Sequence, residues 1–323
     1  MAEAARIGVV AARDDPEARL VAARLELLGV SPFFVDLSAF PASTRVQVVV
    51  EDDLRILVDG EDVTDARAWY IRRYGFTDPL VRPGEGVTRE AWTAMFGRVR
   101  AWGLAETEKA MFVGALLSLL EERAPVVNSP SSFVAHLRKP HQVYQLRKAS
   151  LAVPAWTAGS DEAAARAFAA RHARVVRKPS SGGRHVEEVG ASDAAAVDPV
   201  DPEPVMLQAL VEGRHVRAHV VGGALVGAAE VAFDRTQGPD YRVSERGLVP
   251  LDLDAVVRGQ CVSAAAAVGM EHAGIDLILA EDGRAWFLEC NPAAMFLGFE
   301  KRTGAPVSEA LARRLVDVAK RGV

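Results

Sequence analysis

The chain has 323 residues, half of them apolar and a quarter charged, with a formal net charge of -5. That length fits two domains, or three lobes, and the acidic balance excludes a global basic field that would draw the protein to nucleic acid or to a membrane surface. The longest apolar run, 110–120, is about half the ~20 residues of a membrane span, the apolar stretch 7–12 is too short for a secretory signal, and Cys261 and Cys290 alone make no disulfide framework, so a cytoplasmic multidomain enzyme is expected.

Residues 6–10 read as a strand, 16–28 as a helix with Gly29 as its C-cap, and 33–37 as a second strand. This β-α-β order points to an open parallel sheet. Residues 46–50 and 54–58 read as a hairpin, 68–74 as a strand and 75–86 as a loop rich in Gly and Pro. A long helix is predicted over 88–123, broken near Gly103, and a short strand over 125–128 closes a first domain, 1–128.

A central lobe, 129–211, opens with a helix over 131–149 that Pro140 interrupts; an extended segment at 154–157, a helix over 160–173 with Ser160 as N-cap, and strands at 175–178 and 205–210 follow. The proline-rich run 198–204 is a surface connection. A C-terminal lobe, 212–323, has strands 216–221 and 224–231 joined by Gly222-Gly223, a dipeptide suited to a tight hairpin, and a polar, mobile loop over 233–249. A helix over 252–268, a hairpin of 273–280 with 285–290, and a helix over 308–321 complete it. The fold class is α/β.

Three segments carry chemistry. Glu289 and Asn291 are two apart, so they share one face of a strand, and a turn at Asp282-Gly283 brings Asp276 opposite them. Three oxygen donors on one face suit Mg²⁺, a hard ion that shares its shell with phosphates; the alternative is a hairpin whose polar residues cap strand ends. The strand 175–178 delivers Lys178 to the loop Ser180-Ser181-Gly182-Gly183-Arg184. Small residues let backbone N–H groups approach phosphate oxygens, although a plain surface turn reads the same way. The strand 205–210 presents Gln208, and Arg217 lies with His215 and His219 on the polar face of a strand whose alternate residues are apolar.

In this order the pieces resemble the ATP-grasp ligases, over about 129–323, and most of all the RimK-like ligases and the ATP-grasp ribosomal peptide maturases. The N-terminal part is similar to the maturases as well, in Asp14-Asp15, in Leu25 to Gly29, in Phe40-Pro41 and in Trp69-Tyr70-Ile71-Arg72-Arg73. Asp240-Tyr241-Arg242 is similar to their DWR element, and Phe299-Glu300-Lys301-Arg302-Thr303-Gly304 to their EKxTG element. The resemblance implies an ATP-grasp fold behind an N-terminal open parallel sheet, with ATP and Mg²⁺ as cofactors. Lys139 and Lys178 would hold the phosphates under the 180–184 loop. Gln208 would contact the adenine amino group, and the backbone of Ala209, Leu210 and Val211 its edge. His215 stands where the family carries a ribose-holding acid. Asp276, Glu289 and Asn291 would hold Mg²⁺, and Arg217 and Arg242 would stabilise the transferring phosphoryl group.

The implied reaction activates a carboxylate as an acyl phosphate, which an amine or hydroxyl then attacks. A ribosomal peptide maturase making side-chain ester or amide links is the leading expectation. The alternatives are a small-molecule or glutamyl ligase, an ATP-grasp kinase, and a non-catalytic peptide- or nucleotide-binding module. The expected partner is a peptide or small-molecule carboxylate, with no nucleic acid and no membrane. The resembled families are commonly homo-oligomers.

Overall fold

β1 (Arg6–Val10) leads into α1 (Pro16–Leu27). The helix starts where the Asp15 carboxylate accepts the Ala18 N–H at 2.8 Å and Pro16 occupies the first turn. Leu28 caps it, one residue before the expected Gly29, and Gly29 follows at φ +76°, the left-handed conformation that frees the chain from the helix. β2 (Ser31–Val35) ends two residues before the expected position. There the Asp36 side chain accepts the Ser38 N–H and starts a single 3-10 turn over Leu37–Ala39. β3 (Val46–Val50) and β4 (Leu54–Val58) form the expected hairpin, and β5 (Glu61–Asp62) extends it into a separate three-stranded sheet.

β6 (Ala68–Ile71) stops short of Tyr74 because the N–H groups of Arg72 and Arg73 both turn to the carbonyl of Val10, the last residue of β1. α2 (Arg89–Arg123) runs through Gly103 without the expected break. β7 (Val126–Val127) then completes a parallel sheet in the order β2-β1-β6-β7, the open parallel arrangement read from the sequence. Gly8 lets the Trp69 ring lie against β1, since a Cβ at Gly8 would stand 2.1 Å from that ring.

α3 (Pro130–Leu137) and α4 (Lys139–Lys148) replace the single interrupted helix, with Arg138 between them. Proline is tolerated in a helix's first turn and not in its interior, so Pro140 belongs to a new start. β8 (Trp156–Gly159) precedes α5 (Glu162–Arg171). The α5 cap is Asp161, not Ser160, because the Asp161 carboxylate accepts the Ala164 N–H at 3.0 Å. β9 (Val175–Lys178), β10 (Glu187–Val189) and β11 (Val205–Ala209) make an antiparallel sheet with β8, in the order β10-β9-β11-β8.

β12 (Arg214–Val221) and β13 (Ala224–Phe233) turn through Gly222 and Gly223, at φ +57° and +77°. The loop expected over 233–249 is regular structure instead. It holds a 3-10 turn at Arg235–Gln237, α6 (Tyr241–Ser244) and β14 (Glu245–Pro250), with Asp234 and Asp240 capping the two turns. Its polar composition reflects an edge strand, which needs no apolar alternation. α7 (Ala255–Ala267), β15 (His272–Leu279) and β16 (Ala285–Asn291) follow. The five strands lie antiparallel in the order β14-β13-β12-β15-β16. α8 (Leu297–Thr303) and α9 (Val307–Arg321) end the chain.

This computed structural model describes residues 5–51, 53–74, 89–179, 186–190 and 204–321. The loop at 75–86 and most of the run 198–204 therefore lie outside the described residues. Two compact units emerge, 1–130 with 315–323, and 131–314. In the second, Val143 and Leu146 of α4, Met206 of β11, Cys261 of α7 and Ile275, Phe287 and Cys290 of β15 and β16 share one apolar core. Among the described residues no helix is long and apolar enough to cross a membrane.

Candidate active site

The β15–β16 ladder sets Asp276 opposite Glu289 and Gly274 opposite Asn291. The register shifts between Asp276 and Leu277, so Leu288 is an extra residue on β16. Such a bulge resets the alternation of a strand. It allows Phe287 and Cys290 both to face the core while Glu289 and Asn291 share the opposite face. Among the described residues no three His, Cys, Asp or Glu gather as a metal cluster. The donor set here is two carboxylates and an amide.

The chain's own cations stand against both carboxylates. Arg217, opposite Asp276 in the β12–β15 register, donates from Nε at 2.7 Å and from Nη2 at 2.9 Å to the two oxygens of Asp276. Tyr241 Oη donates to Asp276 Oδ2 at 3.2 Å and accepts from Arg217 Nη2. Lys139, in the first turn of α4, places Nζ 3.0 Å from Glu289 Oε2. Burial pushes the Glu289 carboxyl up, but Lys139 and Lys178 outweigh it and hold the group well below the usual range. Asn291 Oδ1 accepts the Ala293 N–H at 2.9 Å.

On the four-stranded sheet, Lys178 lies opposite Met206 and Gln208 opposite Val176, so Lys178 and Gln208 share the face turned away from Leu207 and the α5 cluster. Loss of water pushes the Lys178 ammonium down to about 8, against the pull of Glu289 and Asp276 and with the push of Lys139 and Arg242. Lys178 therefore feels the groups on the other sheet. Gln208 is buried, and its Nε2 has no hydrogen-bond partner. Ala209 and Leu210 donate their N–H groups to the carbonyls of Ala155 and Arg174. Ser180, Ser181, Gly182 and Gly183 lie outside the described residues.

Arg242 grips Asp240 through Nε at 2.8 Å and Nη2 at 2.6 Å, and the Val186 N–H donates to Asp240 at 3.0 Å. Burial raises the Asp240 carboxyl, but these donors win and drive it far down. His215 packs edge-on against Phe233 at 4.8 Å, and burial together with Arg235 lowers its imidazole to about 4, so the ring is neutral. The expected polar face of β12 does not extend to His219. That side chain is fully buried between His272 and Phe299, because α8 covers this end of the strand.

No family model matches the sequence, and no curated protein matches it. Solved structures do. An ATP-grasp ligase, PsnB, complexed with minimal precursor, Mg and ADP, is 30% identical, with 97% of each chain covered and a TM-score of 0.79. PsnB complexed with precursor peptide PsnA2 and AMPPNP aligns over 99% of each chain at 28% identity, again with a TM-score of 0.79. The macrocyclase MdnC of Microcystis aeruginosa, bound with its precursor peptide MdnA, shares the fold at 18% identity and a TM-score of 0.76, over 97% of this chain and 99% of that one. The chain belongs to the ATP-grasp ligases.

Sequence reasoning missed several groups in this ATP-grasp ligase. Gln142 of α4 is fully buried and bonds the Cys290 peptide in both directions, and His136 Nδ1 donates to the same carbonyl at 3.0 Å. The available signal was spacing, since Gln142 follows Lys139 by three residues and so lies near it on one helix face. Tyr241 of the Asp240-Tyr241-Arg242 element joins Arg217 to Asp276. The Phe299 to Gly304 element of the ATP-grasp ligase does structural work. Glu300 accepts from the Ser308 N–H at 2.9 Å and from its hydroxyl at 2.8 Å at the start of α9, and Gly304 ends α8 at φ +74°. Arg72, within the Trp69 to Arg73 element, is held by two carboxylates. It is buried 3.3 Å from Glu17 and 3.8 Å from Asp15.

Proposed function

We propose that this ATP-grasp ligase joins a carboxylate to an amine or hydroxyl within a precursor peptide, through an acyl phosphate formed with ATP. The observation that carries the reading is the meeting of Lys139, Lys178, Arg217 and Arg242 with Asp276 and Glu289, drawn from two sheets and two helices. A peptide substrate is favoured by PsnB, whose structures are complexed with precursor peptide.

The residues present fit the cofactors. Two carboxylates and an amide oxygen on one face are a donor set for a hard divalent cation, and protein cations already oppose both carboxylates. An unpartnered, buried Gln208 amide is costly unless a ligand completes it, and the acceptors of a purine edge would do so. Asp276, Glu289 and Asn291 would hold Mg²⁺, which supplies charge neutralisation to the phosphates.

Lys139 and Lys178 attract the triphosphate as point charges. Gln208 and the backbone at Ala209, Leu210 and Val211 receive the base, with Ala209 offering its carbonyl because its N–H is spent on Ala155. His215, a neutral ring, would take the place of the ribose-holding acid. Arg217 and Arg242 stabilise the charge that spreads over the phosphoryl oxygens during transfer. By the family resemblance Ser180, Ser181, Gly182 and Gly183, outside the described residues, would cover the phosphates, where exclusion of water protects the activated carboxylate from hydrolysis.

Incubation with ATP, Mg²⁺ and peptides bearing Thr, Ser or Lys together with Asp or Glu tests the reading. ADP release with loss of one water from the peptide is the expected result. ADP release that depends on free amino acids and not on peptides would favour a small-molecule ligase, and no nucleotide turnover with any acceptor would leave a binding module.

A further inference from the structure

Gln142 belongs to neither lysine nor carboxylate chemistry, yet it is among the most buried polar side chains of the chain. Its Nε2 donates to the Cys290 carbonyl at 2.8 Å, and its Oε1 accepts the Cys290 N–H at 3.0 Å. A side-chain amide here does the work of a neighbouring strand. β16 is the outer strand of its sheet, and its pairing with β15 is already interrupted at Leu288, just before Glu289. Cys290 is the residue between the two donors Glu289 and Asn291. Fixing both polar groups of Cys290 fixes the direction in which both flanking side chains leave the backbone.

The same helix holds the other half of the arrangement. Lys139 lies one turn before Gln142 on α4 and pairs with Glu289 at 3.0 Å. One rigid element therefore sets the lysine, the carboxylate and the amide oxygen against one another. Resting on the functional reading above, we infer that Gln142 is a positioning residue, which holds Glu289 and Asn291 in the geometry that receives a divalent cation. It touches neither nucleotide nor metal. It acts through the Cys290 peptide, with His136 as a second donor to the same carbonyl at 3.0 Å.

A metal-binding strand left without its outer support loses preorganisation, and outer groups of this kind typically set metal affinity by about 10- to 100-fold. Gln142→Met keeps the length and removes both hydrogen bonds. Calorimetric titration of ADP into the full chain, with and without Mg²⁺, reads the effect without turnover. In the wild-type chain Mg²⁺ is expected to tighten ADP binding. In Gln142→Met the Mg²⁺ concentration needed for half of that tightening is expected to rise about 10-fold, while ADP binding without Mg²⁺ stays within about 2-fold.

A merely structural role would lower the melting temperature and leave the Mg²⁺ requirement unchanged, and a folded Gln142→Met with the wild-type requirement overturns the proposal. Should Gln142→Met fail to give the wild-type circular dichroism, Gln142→Glu replaces it. That variant retains an acceptor for the Cys290 N–H, loses the donor to the carbonyl, and adds a negative charge that by itself would attract the cation and lower the Mg²⁺ requirement. A requirement raised in spite of that charge supports the positioning role, and an unchanged or lowered one overturns it. If Mg²⁺ does not tighten ADP binding even in the wild-type chain, the functional reading itself fails and takes this inference with it. That result differs from a wild-type response that the variants share.

Discussion

Arg217 and Asp276 face each other across β12 and β15, and the guanidinium donates to both carboxylate oxygens, at 2.7 and 2.9 Å. Paired donors of this kind fix orientation as well as charge. Lysine carries the charge without the planar fork. Arg217→Lys should therefore keep the sheet and lose alignment at the site. Initial rates of ADP release should fall about 100-fold or more, as for loss of an oriented charge-stabilising donor, with circular dichroism unchanged. A rate within a few-fold of wild type would remove Arg217 from the chemistry.

Glu289 is a carboxylate that both lysines act on. Glu289→Gln preserves shape and removes that charge, so Lys139 and Lys178 are left to repel each other and a donor to the cation is weakened. ATP turnover should fall by about 100- to 1000-fold while the fold persists. Full activity in this variant would dissolve the proposed metal site.

Most of this arrangement was legible in the sequence because strands obey a period of two. That period placed Glu289 and Asn291 on one face, but the turn at Asp282-Gly283 continued in the register of Leu277 with Phe287 would set Asp276 opposite Leu288, so the bulge is what brings Asp276 to Glu289. The bulge at Leu288 was not legible, since nothing in Phe287-Leu288-Glu289 distinguishes one extra residue from regular alternation. Gln142 was hidden for another reason. Its partner is the backbone of a residue 148 positions away, and backbone groups carry no sequence signal. His219 deceived because alternation predicts a face and not what covers it; Phe299 of α8 decides that. The polar run 233–249 deceived because composition was read as mobility, whereas Asp234 and Asp240 cap turns there and β14 pairs with β13.

Gly274 lies opposite Asn291, and a Cβ on it would stand 2.1 Å from the Ala294 Cβ. Backbone would have to move, because Ala294 has no flexible end to yield. Gly274→Ala should destabilise the chain by about 1–3 kcal/mol, the usual cost of overpacking, and raise the Mg²⁺ requirement by shifting the segment after Asn291. Gly103→Ala is the contrasting case. Nothing stands within 4 Å of its added Cβ, and it lies inside α2. It should stabilise by up to about 1 kcal/mol. Thermal unfolding of the two variants beside wild type checks both signs.

Lys178 gives the ligase a pH dependence of definite direction. Its ammonium is held down to about 8, against 10.5 for a free lysine, chiefly because water is withdrawn from it. The charged form attracts phosphate. It is complete below about 8 and lost as pH rises through that value. With ATP as the varied substrate, kcat/KM reports the free enzyme, so it should fall on the alkaline side with a midpoint near 8. Arginine does not titrate in this range. Lys178→Arg should show no such descending limb, whatever its absolute rate. Bound phosphates raise the lysine again, so ADP binding near that midpoint should take up protons. Calorimetry in two buffers of different ionisation enthalpy measures that uptake. A flat wild-type profile, or a limb that survives in Lys178→Arg, would assign the titration to another group.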